Sequence, residues 1–161
     1  MNTSECSMPH NGEWQPVRPE KAERVCLNEL IQVLIGTFSE WAAWKRVSLW
    51  AALEKEELAV KGMRSQLARA MQSLLAHAVD ACREAHGEVS VMLRRDHDLA
   101  CVRVQHSREE TSEALLRNDV RLDVAQRIVQ EHGGCMEVAG YAGAGLAVTL
   151  RFLIVPADHA T

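Results

Sequence analysis

Several things are missing from this sequence, and each absence removes a class of protein. There is no positive balance: 18 Lys and Arg stand against 22 Asp and Glu, for a net charge of -4. No overall field draws nucleic acid, and no run of Lys or Arg suggests a local one, so no nucleic-acid partner is expected. No apolar run approaches the roughly 20 residues that span a bilayer, so no membrane partner is expected either. The five cysteines (Cys6, Cys26, Cys82, Cys101, Cys135) include no CxxC pair. An odd count without framework spacing suits reduced, mostly buried thiols and a cytoplasmic location. Proline is nearly absent after the opening "MNTSECSMPHNGEWQPVRPE", which holds three of the four. That polar stretch has no apolar core segment and reads as a disordered tail (1–20), neither a signal peptide nor an anchor. No internal repeat is visible.

What remains is ordinary for one globular domain: 161 residues, 47% apolar and 25% charged. From Glu20 the pattern is helical. "ERVCLNELIQVLIGTFSEWAAW" sets Val25, Leu27, Leu30, Val33, Leu34, Phe38, Trp41 and Ala42 mainly at three- and four-residue steps. "KRVSLWAAL" then alternates through Val47, Leu49 and Ala51, a strand with one buried face. A charged turn and a short "LAVKG" lead to "SQLARAMQSLLAHAVDACREAHG", a helix with Ser65 as cap and Gly87 as stop. "EVSVMLRRD" and "LACVRVQH" alternate as strands around "RDHD", a hairpin by spacing. "SREETSEALLRNDV" is a polar loop. "RLDVAQRIVQEHGG" is a third helix, with Leu122, Ala125, Ile128 and Val129 as its stripe. "CMEVAGY" and "GLAVTLRFLIVP" close the domain as two strands. The expected architecture is a two-layer α/β sandwich over 21–157, a mixed sheet with helices on one face, followed by a C-terminal tail (158–161).

This order, with these residues, resembles the ATP-binding catalytic domain of bacterial sensor histidine kinases, in the Bergerat (GHKL) class. The resemblance covers about residues 25 to 156. "VKGMRSQLARAMQSLLAHAVDAC" is similar to the lead-in and asparagine-box helix, of the form "LRQVLxNLLxNAxxA". "VSVMLRRDHDLACVRVQH" is similar to the hairpin carrying the adenine-binding aspartate. "RLDVAQRIVQEHGG" is similar to the "GLGLSIVRRIVEAHGG" helix, and "GAGLAVTLRFLIVP" to the terminal "GxGTxFTxxLP".

The resemblance also implies where nucleotide chemistry should sit. The family's asparagine holds Mg²⁺ with a hard oxygen; its position here is His77, whose imidazole suits softer metals. The adenine-reading aspartate falls at His106, which lacks a carboxylate's charge. Arg108 and Glu110 stand where glycines let the backbone approach the base. "NDVRLD" has no phosphate-binding glycine, and Asp119 and Asp123 place negative charge beside the expected phosphates. The loop from His106 to Leu122 is short for a family lid, and residues 1–20 carry no phosphoacceptor hairpin. ATP and Mg²⁺ are therefore expected not to bind, with no catalytic residue and no metal site. His77 and His106 remain as a remnant pocket.

Read by themselves, the same residues have plainer accounts. His77 lies with Arg69, Ser73, Asp80 and Glu84 on a polar helix flank, as a partly exposed histidine. His132 suits the negative pole at its helix end. Cys26 and Cys82 fall on apolar helix faces, and Glu109, Glu110 and Glu113 on a solvated loop. Trp41, Trp44 and Trp50 gather at the first helix–strand junction, where core packing competes with a partner-binding anchor. The expectation is a non-catalytic, pseudokinase-like adaptor or regulator in two-component-type signalling. It would bind a response regulator or sensor kinase through Trp41, Trp44 and Arg117. A stand-alone kinase resembling the anti-sigma-factor class, a small-ligand sensor and a homodimer stay open.

Overall fold

A computed structural model describes residues 21–82, 86–107, 119–141 and 145–156. The expected tails at 1–20 and 158–161, and the loop residues 108–118 with Arg117, lie outside the described residues.

The chain opens with β1 (Glu23–Cys26), then α1 (Leu27–Trp44), β2 (Ser48–Ala52) and β3 (Ala59–Gly62). It continues with α2 (Arg64–Cys82), β4 (Glu88–Asp96), β5 (Leu99–His106) and α3 (Val120–Glu131), and ends with β6 (Cys135–Tyr141) and β7 (Gly145–Leu153). Five strands form one mixed sheet in the order β2-β4-β5-β7-β6; β2 runs parallel to β4 and the other pairs are antiparallel. The helices pack on one face of this sheet, as the apolar periodicity requires. On β5, Ala100, Val102, Val104 and His106 are buried at every second position; on β7, Leu146, Val148, Leu150 and Phe152 match them. They meet Leu67, Leu74 and Ala78 of α2 and Leu122, Ala125 and Val129 of α3 in one core.

Three expectations need correcting. The first helix begins at Leu27, four residues after Glu23. "ERVC" is instead an edge strand paired with "AVKG" in a separate two-stranded sheet, with Val25 opposite Val60. Cys26, expected on a helix face, has an extended backbone (φ -77°, ψ 112°) ahead of the helix. Its partner strand lies more than thirty residues away, beyond the reach of local periodicity. Asn28 then holds the returning loop. Its side chain donates to the carbonyls of Glu54 (2.8 Å) and Glu56 (3.1 Å) and accepts from Leu58 N–H (2.8 Å). The second correction is Ser65, which lies within the first turn of α2 and so is not its cap; Met63 precedes the helix. Val33 also leaves the stripe and is exposed.

His132 sits at the end of α3, as expected, and does more than complement the dipole. Its Nδ1–H donates to the Ile128 carbonyl (2.7 Å), which leaves Nε2 to accept from Met63 N–H (3.1 Å). The last turn of α3 is thereby pinned to the start of α2. Gly62 lies beneath this ring, where a Cβ would overlap the imidazole.

Candidate functional site

The site forms where α2, the end of β5 and the start of α3 converge. His77 stands on α2 one turn before Asp80. Asp119 caps α3, its carboxylate accepting from Arg121 N–H (2.9 Å). The same carboxylate meets His77 Nδ1 in a very short contact. Arg121 completes the group: Nε and Nη2 reach Asp119 (3.2 and 3.3 Å), and Nη1 reaches Asp80 Oδ2 (2.6 Å). Two cationic or ionisable groups and two carboxylates thus alternate across the α2–α3 contact.

This overturns the expectation of a partly exposed His77, which is only 8% exposed. The flank of α2 that is polar in sequence is covered by the N-terminus of α3, and Asp119 provides the partner that burial demands. Burial works against the Asp119 carboxylate, but hydrogen bonds from Arg121 and His77 outweigh it and hold the carboxyl below its ordinary range. Arg121 is held firmly protonated against its own desolvation by Asp119 and Asp80.

His106 lies beside this group, 2% exposed, as the last helix-facing residue of β5. The rings of His77 and His106 stand edge to face, 5.8 Å apart between centroids. The structure therefore brings together the two histidines that sequence comparison paired. His77 Nε2 is buried without a hydrogen-bond partner among the described residues. Gly145 closes this end of the site. Its φ is +90°, and a Cβ there would overlap the His106 carbonyl oxygen, so only glycine fits. Among the described residues, no group of three or more His, Cys, Asp or Glu could hold a metal ion.

The tryptophans separate into different roles. Trp41 is half-buried, packed against the core and edge-on to Phe38 at 5.8 Å. Trp44, one turn on, is 77% exposed, with the Lys45 ammonium 5.0 Å from its ring centroid. Trp50 is partly exposed on β2 and donates from Nε1 to Glu88 (2.6 Å). Core packing accounts for the first and not for Trp44.

Sequence reasoning saw Asp119 only as misplaced charge and missed Arg121 altogether. A signal existed: Asp ahead of an apolar stripe reads as an N-cap, and Arg two residues later can return to it. It missed a second feature as well. On the sheet face away from the helices, Arg94, Arg103 and Arg151 come together from three strands. A scan for consecutive Lys and Arg cannot see such a cluster.

No protein-family model matches the chain. It is 28% identical over 155 residues to the sensor histidine kinase RppB of Synechocystis sp., covering 83% of this chain and 34% of that protein. The chain thus spans about a third of the length of the curated relative it matches. The nucleotide-free catalytic domain of histidine kinase ThkA superposes with a TM-score of 0.75 at 20% identity, covering 85% of this chain and 99% of that one. ThkA in complex with response regulator TrrA superposes at 0.71 with 18% identity, covering 86% of this chain and 43% of that one. The chain has the fold of histidine kinase catalytic domains. Among the described residues, no helix is long and apolar enough to cross a membrane.

Proposed function

We propose that this chain, which has the histidine kinase catalytic-domain fold, is a non-catalytic member of a two-component-type signalling system that acts by binding another signalling protein. The observation that carries the reading is the closed network His77–Asp119–Arg121–Asp80. It occupies the positions that resemblance assigns to the Mg²⁺ ligand and the phosphate-binding helix start. A helix N-terminus holds phosphate with free N–H groups and a positive dipole end. Here Asp119 already takes one of those N–H groups and sets a carboxylate where phosphate oxygens would come. His77, committed to Asp119 through Nδ1, offers a nitrogen where Mg²⁺ prefers oxygen. The residues present do not suit Mg·ATP.

Partner binding is the function left to such a scaffold, since sites can be lost from folds that persist. Trp44 offers large, rigid apolar area at the end of α1, with Trp41 behind it. Arg117, the third residue expected to bind the partner, lies outside the described residues. The histidine kinase seen with a response regulator makes a receiver domain the first partner to try. A second reading, a small-ligand sensor, rests on His77 Nε2, a buried nitrogen without a hydrogen-bond partner among the described residues, on a ring 5.8 Å from that of His106.

The test is thermal unfolding with and without millimolar Mg·ATP. A nucleotide present at 100 times its dissociation constant would add about 2.7 kcal/mol to stability. For a chain of this size that is a rise of roughly 5–10 °C. The expected result is no shift. A reproducible rise would restore the stand-alone kinase reading and end this one.

A further inference from the structure

The face of the five-stranded sheet turned away from the helices carries a concentration of positive charge unlike the rest of this acidic chain. Cross-strand register places Arg94 opposite Cys101 and Cys101 opposite Arg151; Arg103 stands opposite Met92 on one side and Thr149 on the other. Arg94 and Arg151 are thus two strands apart, about 10 Å between Cα atoms, and Arg103 is a diagonal step of about 7–8 Å from each. These residues line a concavity of about 510 Å³, with Arg95 and Asp96 at its rim.

Among the described residues several of these arginines have partners, Arg103 included, and Arg94 has no ion pair. Glu137 takes Arg151 (2.8 Å), Glu56 takes Arg95 (2.6 Å), and Asp96 is engaged by His97 (2.8 Å). The Cys101 sulfur, on the strand position between Arg94 and Arg151, does not neutralise the remaining charge. Burial pushes the Cys101 thiol up despite the nearby Arg151, so it stays uncharged. Like charges on diagonal positions of adjacent strands are still within reach of each other and repel. A bound anion would turn that repulsion into attraction.

We propose that this concavity is a binding site for a small ligand carrying two or more phosphate or carboxylate groups. Guanidinium forks recognise such oxyanions in pairs, which ammonium groups do not. The volume falls in the range of small-molecule sites, and Thr149 adds a hydroxyl that can donate or accept. The site lies across the sheet from His77 and His106, so it stands or falls separately from the signalling proposal.

The experiment is isothermal titration of the full chain with pyrophosphate, citrate and a poly-glutamate peptide at physiological salt. Pyrophosphate, citrate or both should bind saturably, 1:1. Arg103→Gln and Arg94→Gln should each weaken that binding by about tenfold, the loss of one charged hydrogen-bonding group. His77→Gln should leave it unchanged. Melting curves identify any variant that fails to fold, and the exposed Arg94 gives a substitution that leaves the core untouched. Absence of saturation by both small anions at about 10 mM would overturn the proposal. So would equal binding by the arginine variants, or loss of binding in His77→Gln, which would move the anion to the other face. Tighter binding of poly-glutamate than of both small anions would also overturn it, in favour of an acidic protein partner.

Discussion

On the helix side of the sheet the charges around His77 meet opposite ones: Asp119 sits between His77 and Arg121, and Arg121 between Asp119 and Asp80. On the open side Arg94, Arg103 and Arg151 share a concavity, where Glu137 takes Arg151 and Arg94 has no ion pair among the described residues. The difference follows from solvent. Only His77 and Asp119 are deeply buried, their side chains 9% and 13% exposed, and there an unpaired charge is too costly to keep. Arg121 and Asp80 close the group at its more exposed edge. In contact with water the same imbalance is tolerable, and it leaves capacity for a ligand. Polar residues buried between helices can therefore be structural, while the exposed face is where the proposed ligand would sit.

The largest effect should come from breaking the edge where the two sides meet. Gly145→Ala forces a side chain into the left-handed region and against the His106 carbonyl. We expect a loss of about 3 kcal/mol or more, read from urea unfolding. A loss below the cost of a surface substitution would mean that β7 shifts freely past His106.

Next comes the closed network. Asp119→Ala removes a cap and the charged partner of both His77 and Arg121, and should cost about 2 kcal/mol. Asp119→Asn keeps the cap and should cost about 1 kcal/mol. The pH dependence sharpens this. The folded Asp119 carboxyl lies below its ordinary value of 3.8, so its contribution is fully present above that pH. It is lost as pH falls through the lower folded value. Unfolding free energies measured from neutral pH into acid should therefore fall less steeply below pH 3.8 in Asp119→Asn than in the wild type. Parallel curves would remove Asp119 as an acid-sensitive tie.

The smallest effect belongs to the open face. Arg94→Gln relieves repulsion among the three arginines and should change stability by no more than about 0.5 kcal/mol, in the stabilising direction. Destabilisation comparable with that of Asp119→Ala would show that the arginines are structural, which would erase the contrast between the faces.

The sandwich was legible because its signals are local. Leu122, Ala125, Ile128 and Val129 fall at helical steps and are all buried, and the alternation of "LACVRVQH" gives the inward face of β5 residue by residue. The pairing of His77 with His106 was legible only through resemblance, because a helix and a strand nearly thirty residues apart have no local rule that joins them. The β1–β3 pair was missed for a related reason. "ERVC" fits a helical stripe as well as a strand, and only "AVKG" decides between them.

By itself, then, the sequence determined the layers: which residues are apolar, at what period, and hence which face each helix and strand turns inward. Through the resemblance it also implied that His77 and His106 stand where a kinase of this fold would place an asparagine and an aspartate. Only the tertiary structure decided what surrounds them. Whether His77 is exposed depends on the arrival of α3, and the contacts of Asp119 depend on where His77 and Arg121 come to lie. Whether three arginines on separate strands form a site depends on register. Burial and electrostatics are set by distances in space, and those exist only once the strands have chosen their neighbours.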